Sequence, residues 1–514
     1  MKTRPMMQFP RKRLACALTL ATLALAACTT GPAYKRPDVA APANFKEANN
    51  FDGSAWKTAN PSDQLPRGPW WERFNDKDLN ALATLVESDN QSLKSYAARY
   101  NQAAALVRQA RAAYFPTINL NGGTTRSRNG TAGITQPAAT TTDSVSVSAS
   151  AWEIDLWGRI RNTVDANELS AQASVADIEN IKLSLQAQLV TSYLSLRITD
   201  EEANLLTRTV GDYQKALDLT TNRYKAGIAA KLDVSEAEAQ LKAAQAQALD
   251  IGIARAQFEH AIAVLIGKAP GDFSIAVKPL VLSMPDIPLT APSALLERRP
   301  DVAAAERRIA SANAQVGAAQ AALFPELTLA ATVGYRANKW ANIISLPNRF
   351  WSVGPALALT LFDGGLRRGQ IAQAEAIYDQ NVADYRQAVL TAFQDVEDQL
   401  VALRVLEQEA VVQADAVRAS NESLMHTIEQ YKGGTLSYLN VITAQTTAYT
   451  NRRTELDILN RRYTAAVALI KSLGGGFAQG EMSAPEVPPA RGIQLRIADF
   501  LSRKSPDNSG ATAK

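Results

Sequence analysis

Apolar side chains recur at helical spacing in two long stretches, Ile178, Ile181, Leu185, Leu189, Tyr193 and Leu196 in the first and Val389, Phe393, Val396, Leu400 and Leu403 in the second. Steps of three and four place each set on one face of a helix. Small or charged residues fill the intervals, a heptad-like pattern that predicts close, coiled-coil-like packing. No proline occurs between Pro137 and Pro270, or between Pro355 and Pro485, and residues 370–432 contain neither Gly nor Pro. A helix over that last stretch would be about 95 Å long at roughly 1.5 Å per residue. Helices of that length do not fit a compact globule.

Between the helical stretches the period changes to two. Ile118 and Leu120, then Val145, Val147, Ala149 and Ala151, then Leu327, Leu329, Ala331 and Val333, then Val353, Leu357, Leu359 and Leu361 alternate with small or polar residues. Runs of about ten residues with this alternation suit transmembrane β-strands. Trp152, Trp157, Tyr335, Trp340, Trp351 and Phe362 cluster near the strand ends, as an interfacial aromatic girdle requires. A small soluble sheet with edge aromatics is the alternative reading of the strands alone. Four strands cannot close a conducting barrel, and open edges are not tolerated in lipid, so several copies must share one. Three copies would give twelve strands and an aqueous bore.

An internal repeat organises these elements. RYKAGIAAKLDV from Arg223 aligns with QYKGGTLSYLNV from Gln430, so Tyr224, Lys225, Gly227, Leu232 and Val234 match Tyr431, Lys432, Gly434, Leu439 and Val441. Phe115-Pro116 likewise matches Phe324-Pro325. The expected domains are residues 79–292 and 293–476, each a helix, two strands and a long helical hairpin. They are preceded by an extended, Pro-bearing segment 28–78 and followed by a partly disordered tail 477–514.

Composition changes the picture at the N-terminus. The 514 residues carry a formal charge of +4, but five of the basic side chains (Lys2, Arg4, Arg11, Lys12, Arg13) lie in the first 27 residues, which hold no acid. A basic start followed by the apolar run from Leu14 to Ala27 reads as a secretory signal peptide, residues 1–27. Without it, 49 basic face 50 acidic residues, a near-neutral chain. Leu25, Ala26, Ala27 and Cys28 resemble a bacterial lipobox. That resemblance implies cleavage before Cys28 and a covalent N-acyl and S-diacylglycerol lipid on it, with no other cofactor. Thr29, where inner-membrane lipoproteins place Asp, implies the outer membrane. Cys16 lies in the segment removed, so no thiol remains for a disulfide or a metal. His260 and His426 have no ligand-spaced partner, and no P-loop pattern occurs.

Several motifs in order carry a wider resemblance: GPAYKRP after Cys28, WWERFNDKDLNAL from Trp70, AAYFP from Ala112, WEIDLWGRIR from Trp152, the RYKAG turn, LLERRPDVAAAE from Leu295, FDGG from Phe362 and KSLGGGF from Lys471. Over about residues 28–476 the chain resembles TolC-type outer-membrane efflux proteins of the OprM and NodT lipoprotein branch. The resemblance implies an α+β membrane protein, whose long α-helical hairpins form a periplasmic α-barrel continuous with a transmembrane β-barrel, four strands per chain and twelve in a homotrimer. It implies a passive, non-enzymatic exit duct for small amphipathic compounds such as drugs or solvents, partnered by a periplasmic adaptor and an inner-membrane transporter of the resistance-nodulation-division type, with no nucleic acid. A type I protein-secretion duct, a heavy-metal efflux duct and a non-conducting periplasmic scaffold lipoprotein are the alternatives.

The same resemblance places a periplasmic gate at the hairpin tips. Gly227, Gly434 and Thr435 fall at the tips, where an adaptor docks. Asp233 and Tyr431 match the family's gating network, and Leu439 matches an apolar ring position. Asn440 and Thr443 stand where some members carry acids, and Leu436 stands where some carry Arg. Neutral dipoles in place of an acidic ring imply a weaker preference for cations. Asp233 also reads simply as the N-cap of the returning helix.

Overall fold

The computed structural model describes residues 31–39, 45–47, 68–128, 139–280, 284–285 and 298–475. The signal segment, Cys28 and the tail 477–514 lie outside the described residues. The chain opens with a short 3-10 helix, Trp70–Phe74, and α1, Lys77–Asp89, whose first turn is held by the Asp76 carboxylate accepting from the Asp78 and Leu79 amides at 2.8 and 3.0 Å. The duplicated unit follows. Its first copy is α2 (Gln91–Ala112), β1 (Ile118–Ser127), β2 (Thr140–Glu153), α3 (Arg159–Lys225) and α4 (Lys231–Leu265). The second is α5 (Pro300–Ala321), β3 (Glu326–Ala337), β4 (Arg349–Ala358), α6 (Leu366–Lys432) and α7 (Tyr438–Ser472).

Corresponding helices have equal lengths: 22 residues in α2 and α5, 67 in α3 and α6, 35 in α4 and α7. At roughly 1.5 Å per residue the 67-residue helices extend about 100 Å. α3 and α6 each fold back against their own partner, α4 and α7, and α3 also packs on α5 and α7. Where α3 meets α5 the contact runs through Ala176, Ala303 and Ala304, small residues that let two backbones approach closely.

Apolar residues collect around the middle of this assembly. Trp70, Trp71 and Phe74, with Leu79, Leu82 and Val86 of α1, cover Leu189, Tyr193 and Leu196 of α3 and meet Ile262, Tyr463 and Ile470. A second cluster joins Ile309 of α5 to Tyr385, Val389, Phe393, Val396 and Leu400 of α6, with Phe45 of the N-terminal segment on it. These are the positions where the sequence shows its strongest helical periodicity. Two smaller buried clusters lie nearer the hairpin ends, one of Tyr213, Leu241 and Ala244 and one of Ala237, Tyr431, Tyr438 and Val441.

The four strands form one antiparallel sheet in the order β1-β2-β3-β4, so β1 and β4 are its edges. Period-two alternation sorts the faces. On one face the register aligns Leu120, Val147, Val333 and Trp351 across the sheet, and all four are exposed. On the other face lie Asn119, Asn121, Ser144, Ser146, Ser148 and Thr332, with Asn121 donating to Ser148 Oγ at 2.9 Å. One side is apolar and bare; the other is hydroxyl- and amide-lined. Among the described residues no helix is long and apolar enough to cross a membrane, so the sheet is the membrane-crossing element that the pattern supports.

Candidate functional site at the hairpin tips

The two long helices end in the same turn for the same reason. Gly227 (φ +74°) and Gly434 (φ +79°) adopt the left-handed conformation that L side chains disfavour. In the first turn the Gly227 amide donates to the Tyr224 carbonyl at 2.9 Å and the Ile228 amide to Arg223 at 2.8 Å; in the second, Gly434 donates to Tyr431 and Thr435 to Gln430, both at 3.0 Å. This paired bonding satisfies carbonyls that a helix end leaves open. The Thr435 hydroxyl adds a third bond to the Gln430 carbonyl at 3.0 Å. An added Cβ on Gly227 would meet no atom within 4 Å, so the backbone angle alone requires glycine there.

The matched tyrosines occupy opposite environments. Tyr224 is 43% exposed, its ring under the Lys231 ammonium at 5.8 Å, whereas Tyr431 is 4% exposed and packs on Tyr438 with centroids 5.6 Å apart. The Tyr431 hydroxyl pairs with Thr220 Oγ1 of α3 at 3.1 Å. Arg223, also of α3, stacks its guanidinium on the Tyr431 ring at 4.7 Å and donates to the Tyr431 and Lys432 carbonyls at 2.9 and 3.1 Å. A cation from one hairpin thus caps the C-terminus of the long helix of the other, where the helix dipole favours positive charge. Burial raises the Tyr438 phenol well above its ordinary 10.0, with the neighbouring Tyr431 and Tyr213 adding to the effect.

Asp233 does not meet Tyr431 within one chain. Nor is it the N-cap of α4, which is Ala230: Asp233 stands one turn in, at the third helical position, and its carboxylate reaches back to accept from the Ala230 amide at 3.2 Å. Leu439 is 61% exposed and shares an exposed face of α7 with Asn440 and Thr443, opposite the buried stripe of Tyr438, Val441, Gln445 and Ala448. Asn440 donates to Ser437 Oγ at 2.9 Å and Thr443 to the Leu439 carbonyl at 2.9 Å, so both polar groups bond locally. In the first hairpin the corresponding positions are Leu232, which is exposed, and Asp233 and Glu236, which are half-buried. The structure therefore joins Tyr431 to Thr220 and Arg223, sets Leu439, Asn440 and Thr443 toward the outside of the chain, and leaves Asp233 half-buried at the start of α4. Thr220 and Arg223 were not among the residues singled out in the sequence. Arg223 had a signal: it faces Gln430 in the repeat, the one charge change within the two turn motifs RYKAG and QYKGG.

Above the tips a groove of about 780 Å³ runs between α3, α6 and α7, walled by Leu219, Leu424, Ile428, Tyr431 and Tyr438, with Arg208, Lys215 and Arg452 also lining it. The Gln445 side-chain oxygen in this groove is buried without a hydrogen-bond partner.

Paired helical hairpins of one length, continuous with strand pairs that are apolar on one face and polar on the other, define a chain that builds a duct through an outer membrane. The sequence profile of the outer membrane efflux protein family matches residues 82–268 and 291–475, and the chain belongs to that family. It is 30% identical over 467 residues to the toluene efflux pump outer membrane protein TtgF of Pseudomonas putida, covering 89% of this chain and 95% of the relative. It is 30% identical over 479 residues to the outer membrane protein OprJ of Pseudomonas aeruginosa, covering 90% and 95%. The solved outer-membrane channel OprN superposes with a TM-score of 0.78 at 30% identity, over 87% of this chain and 99% of that one. The protein is an outer-membrane efflux channel with a large periplasmic part.

Proposed function

We propose that three copies of this chain form a passive exit duct, a twelve-stranded barrel continuous with a helical tube, that an adaptor and an inner-membrane transporter open at the hairpin tips. The observation that carries this reading is the sheet, whose two edge strands β1 and β4 have no further strand beside them among the described residues while one face is apolar and bare. An open edge in lipid leaves backbone groups unsatisfied at several kcal/mol each, on the order of the cost of burying a free amide. Pairing β1 of one copy with β4 of the next removes every edge. The polar faces then line the bore.

Besides the toluene efflux pump protein TtgF, relatives include the antibiotic efflux pump outer membrane protein ArpC of Pseudomonas putida, 27% identical, and the pyoverdine export outer membrane protein OpmQ of Pseudomonas aeruginosa, 29% identical, which supports amphipathic organic compounds as cargo. The chain's own contribution is a conduit without catalysis. The exposed hairpin turns at Gly227, Gly434 and Thr435 suit the docking of an adaptor. Acylation of Cys28 fits the placement of the residues that follow it. The Pro32 carbonyl accepts from Asn313 at 2.8 Å, and the Tyr34 hydroxyl donates to Glu306 at 2.7 Å. This clamps the chain along α5, four residues beyond Cys28, within about 14 Å of chain. α5 leads directly into β3 and the membrane.

Planar-bilayer recording on the purified protein, with native mass spectrometry of the same sample, tests the reading. The expected result is a trimer that conducts, weakly blocked by trivalent cations on the periplasmic side because Asn440 and Thr443 offer no charge. A monomer, or a trimer without conductance, would overturn it, and micromolar cation block would remove the neutral-ring element.

A further inference from the structure

The outward face of the sheet changes character along its length. β4 ends at Ala358, short of the alternating Leu359 and Leu361, and along it and the three residues that follow the apolar band runs from Leu361 and Leu359 through Leu357 and Val353 to Trp351, all at least half exposed. Ten residues at about 3.3 Å each, tilted by roughly 40°, give a band about 25 Å high, the hydrocarbon depth of an outer membrane. The next position outward on that face is Arg349, paired in register with Tyr335. On β1 the same face runs Ile118, Leu120, Gly122, Thr124 and then Arg126. Both arginines are exposed, and neither has an ion-pair partner among the described residues. The carboxylate on the outer half of this face, Asp143, is 3% exposed and accepts from the Thr124 hydroxyl at 2.7 Å. The same Thr124 oxygen accepts from the Trp340 indole at 2.9 Å. Asp143 is therefore engaged locally, and the two guanidinium groups are left uncompensated at the headgroup level.

Topology brings them together. β1 runs outward and β4 runs inward, and they are the two edges of the sheet. When copies close a barrel, the outer end of β1 in one copy lies beside the outer end of β4 in the next. Arg126 and Arg349 then flank every subunit seam, one from each side. A guanidinium binds phosphate through parallel N–H donors, and two of them across a seam can hold one diphosphorylated headgroup.

We infer that each seam of the assembled barrel is a binding site for a phosphorylated glycolipid of the outer leaflet, with Arg126 of one copy and Arg349 of the next gripping its phosphates while Trp351 and Leu120 contact its acyl chains. The inference rests on the trimeric-barrel reading, and its experiment separates the two. Full-length trimer is exchanged into detergent with diphosphoryl lipid A or its dephosphorylated form, and analysed by native mass spectrometry. The expected result is up to three diphosphoryl lipid A molecules per trimer. Retention should be at least about tenfold weaker for the dephosphorylated form and for the R126Q/R349Q double variant. Arg336→Gln, which removes a charge on the polar face, should leave retention unchanged. Conductance of the double variant confirms that it folds. Equal retention of the two lipid forms, or a double variant that retains lipid A as well as the parent, overturns the seam site while the trimer stands. Absence of a trimer in the spectrum overturns the barrel reading itself.

Discussion

The two hairpin tips share one turn and one motif, yet one is a solvated end and the other is a packed junction. At the first tip Tyr224 lies open beside Lys231. At the second, the corresponding pair is Tyr431 and Tyr438, both buried, with Thr220 and Arg223 reaching across from the first. Local sequence therefore settles the turn, and the neighbouring hairpin settles what the turn's tyrosine does. The dependence is one-sided, because the first tip donates the contacts and the second receives them.

The largest effect should separate the matched tyrosines. Tyr431→Ala removes a buried aromatic side chain, a change that costs about 3–5 kcal/mol, whereas Tyr224→Ala at an exposed site should stay within about 0.5 kcal/mol. Hydrogen exchange of the last two turns of α6 and α3 reads both. Equal loss of protection at the two tips would erase the distinction. Next in size, Arg223→Ala should cost about 1.5–3 kcal/mol, the range for hydrogen bonds made by a charged group. The loss should fall on the end of α6, in the other hairpin. Arg223→Lys should not restore it, because an ammonium lacks the planar face that lies on the Tyr431 ring while Nη1 donates to both carbonyls. A loss confined to α3 would break the one-sided account.

Gly227→Ala and Gly434→Ala should each cost about 1 kcal/mol, and should cost the same, since φ differs by little between them. Unequal costs in the same exchange experiment would show that packing, and not backbone angle, limits one tip. The smallest effect at neutral pH belongs to Tyr438→Phe. Burial holds the folded phenol protonated above its ordinary 10.0, so an unfolded tip releases that proton first. The stabilisation is complete below pH 10 and declines as pH rises through and beyond it. Alkaline loss of tip protection should be shallower in Tyr438→Phe, and identical slopes would count against it.

Much of this architecture was legible in the sequence. Period 3.6 located the long helices, period two located the strands, and the repeat fixed their correspondence, because each signal depends on local spacing. The glycine turns were legible for the same reason, as a positive φ leaves a residue-level mark. The junction was not legible. Arg223 lies outside the positions shared by the two turn motifs, and its role depends on another helix end reached through the packing of α3 against α7. Asp233, matched to a gating network, spends its hydrogen bond on Ala230 within the chain. The burial of Tyr431 and the exposure of Tyr224 follow from which residues face them, and the positions the two motifs share cannot encode that difference.

From the first residue of α3 to the last of α4, the spacing to the second copy is a constant 207 residues, whereas β1 and β2 differ in length from β3 and β4. The two copies have lost most of their shared letters and kept their shared length. One inserted residue in a long helix would turn everything below it by about 100° and lower it by about 1.5 Å. Such an insertion would rotate one tip out of its face and leave it protruding past its twin. Length here behaves as an inherited trait of the pair. A deeper periplasm would demand matched insertions of whole heptads in both hairpins, and a duct lengthened in only one would have a ragged end that no partner could seal.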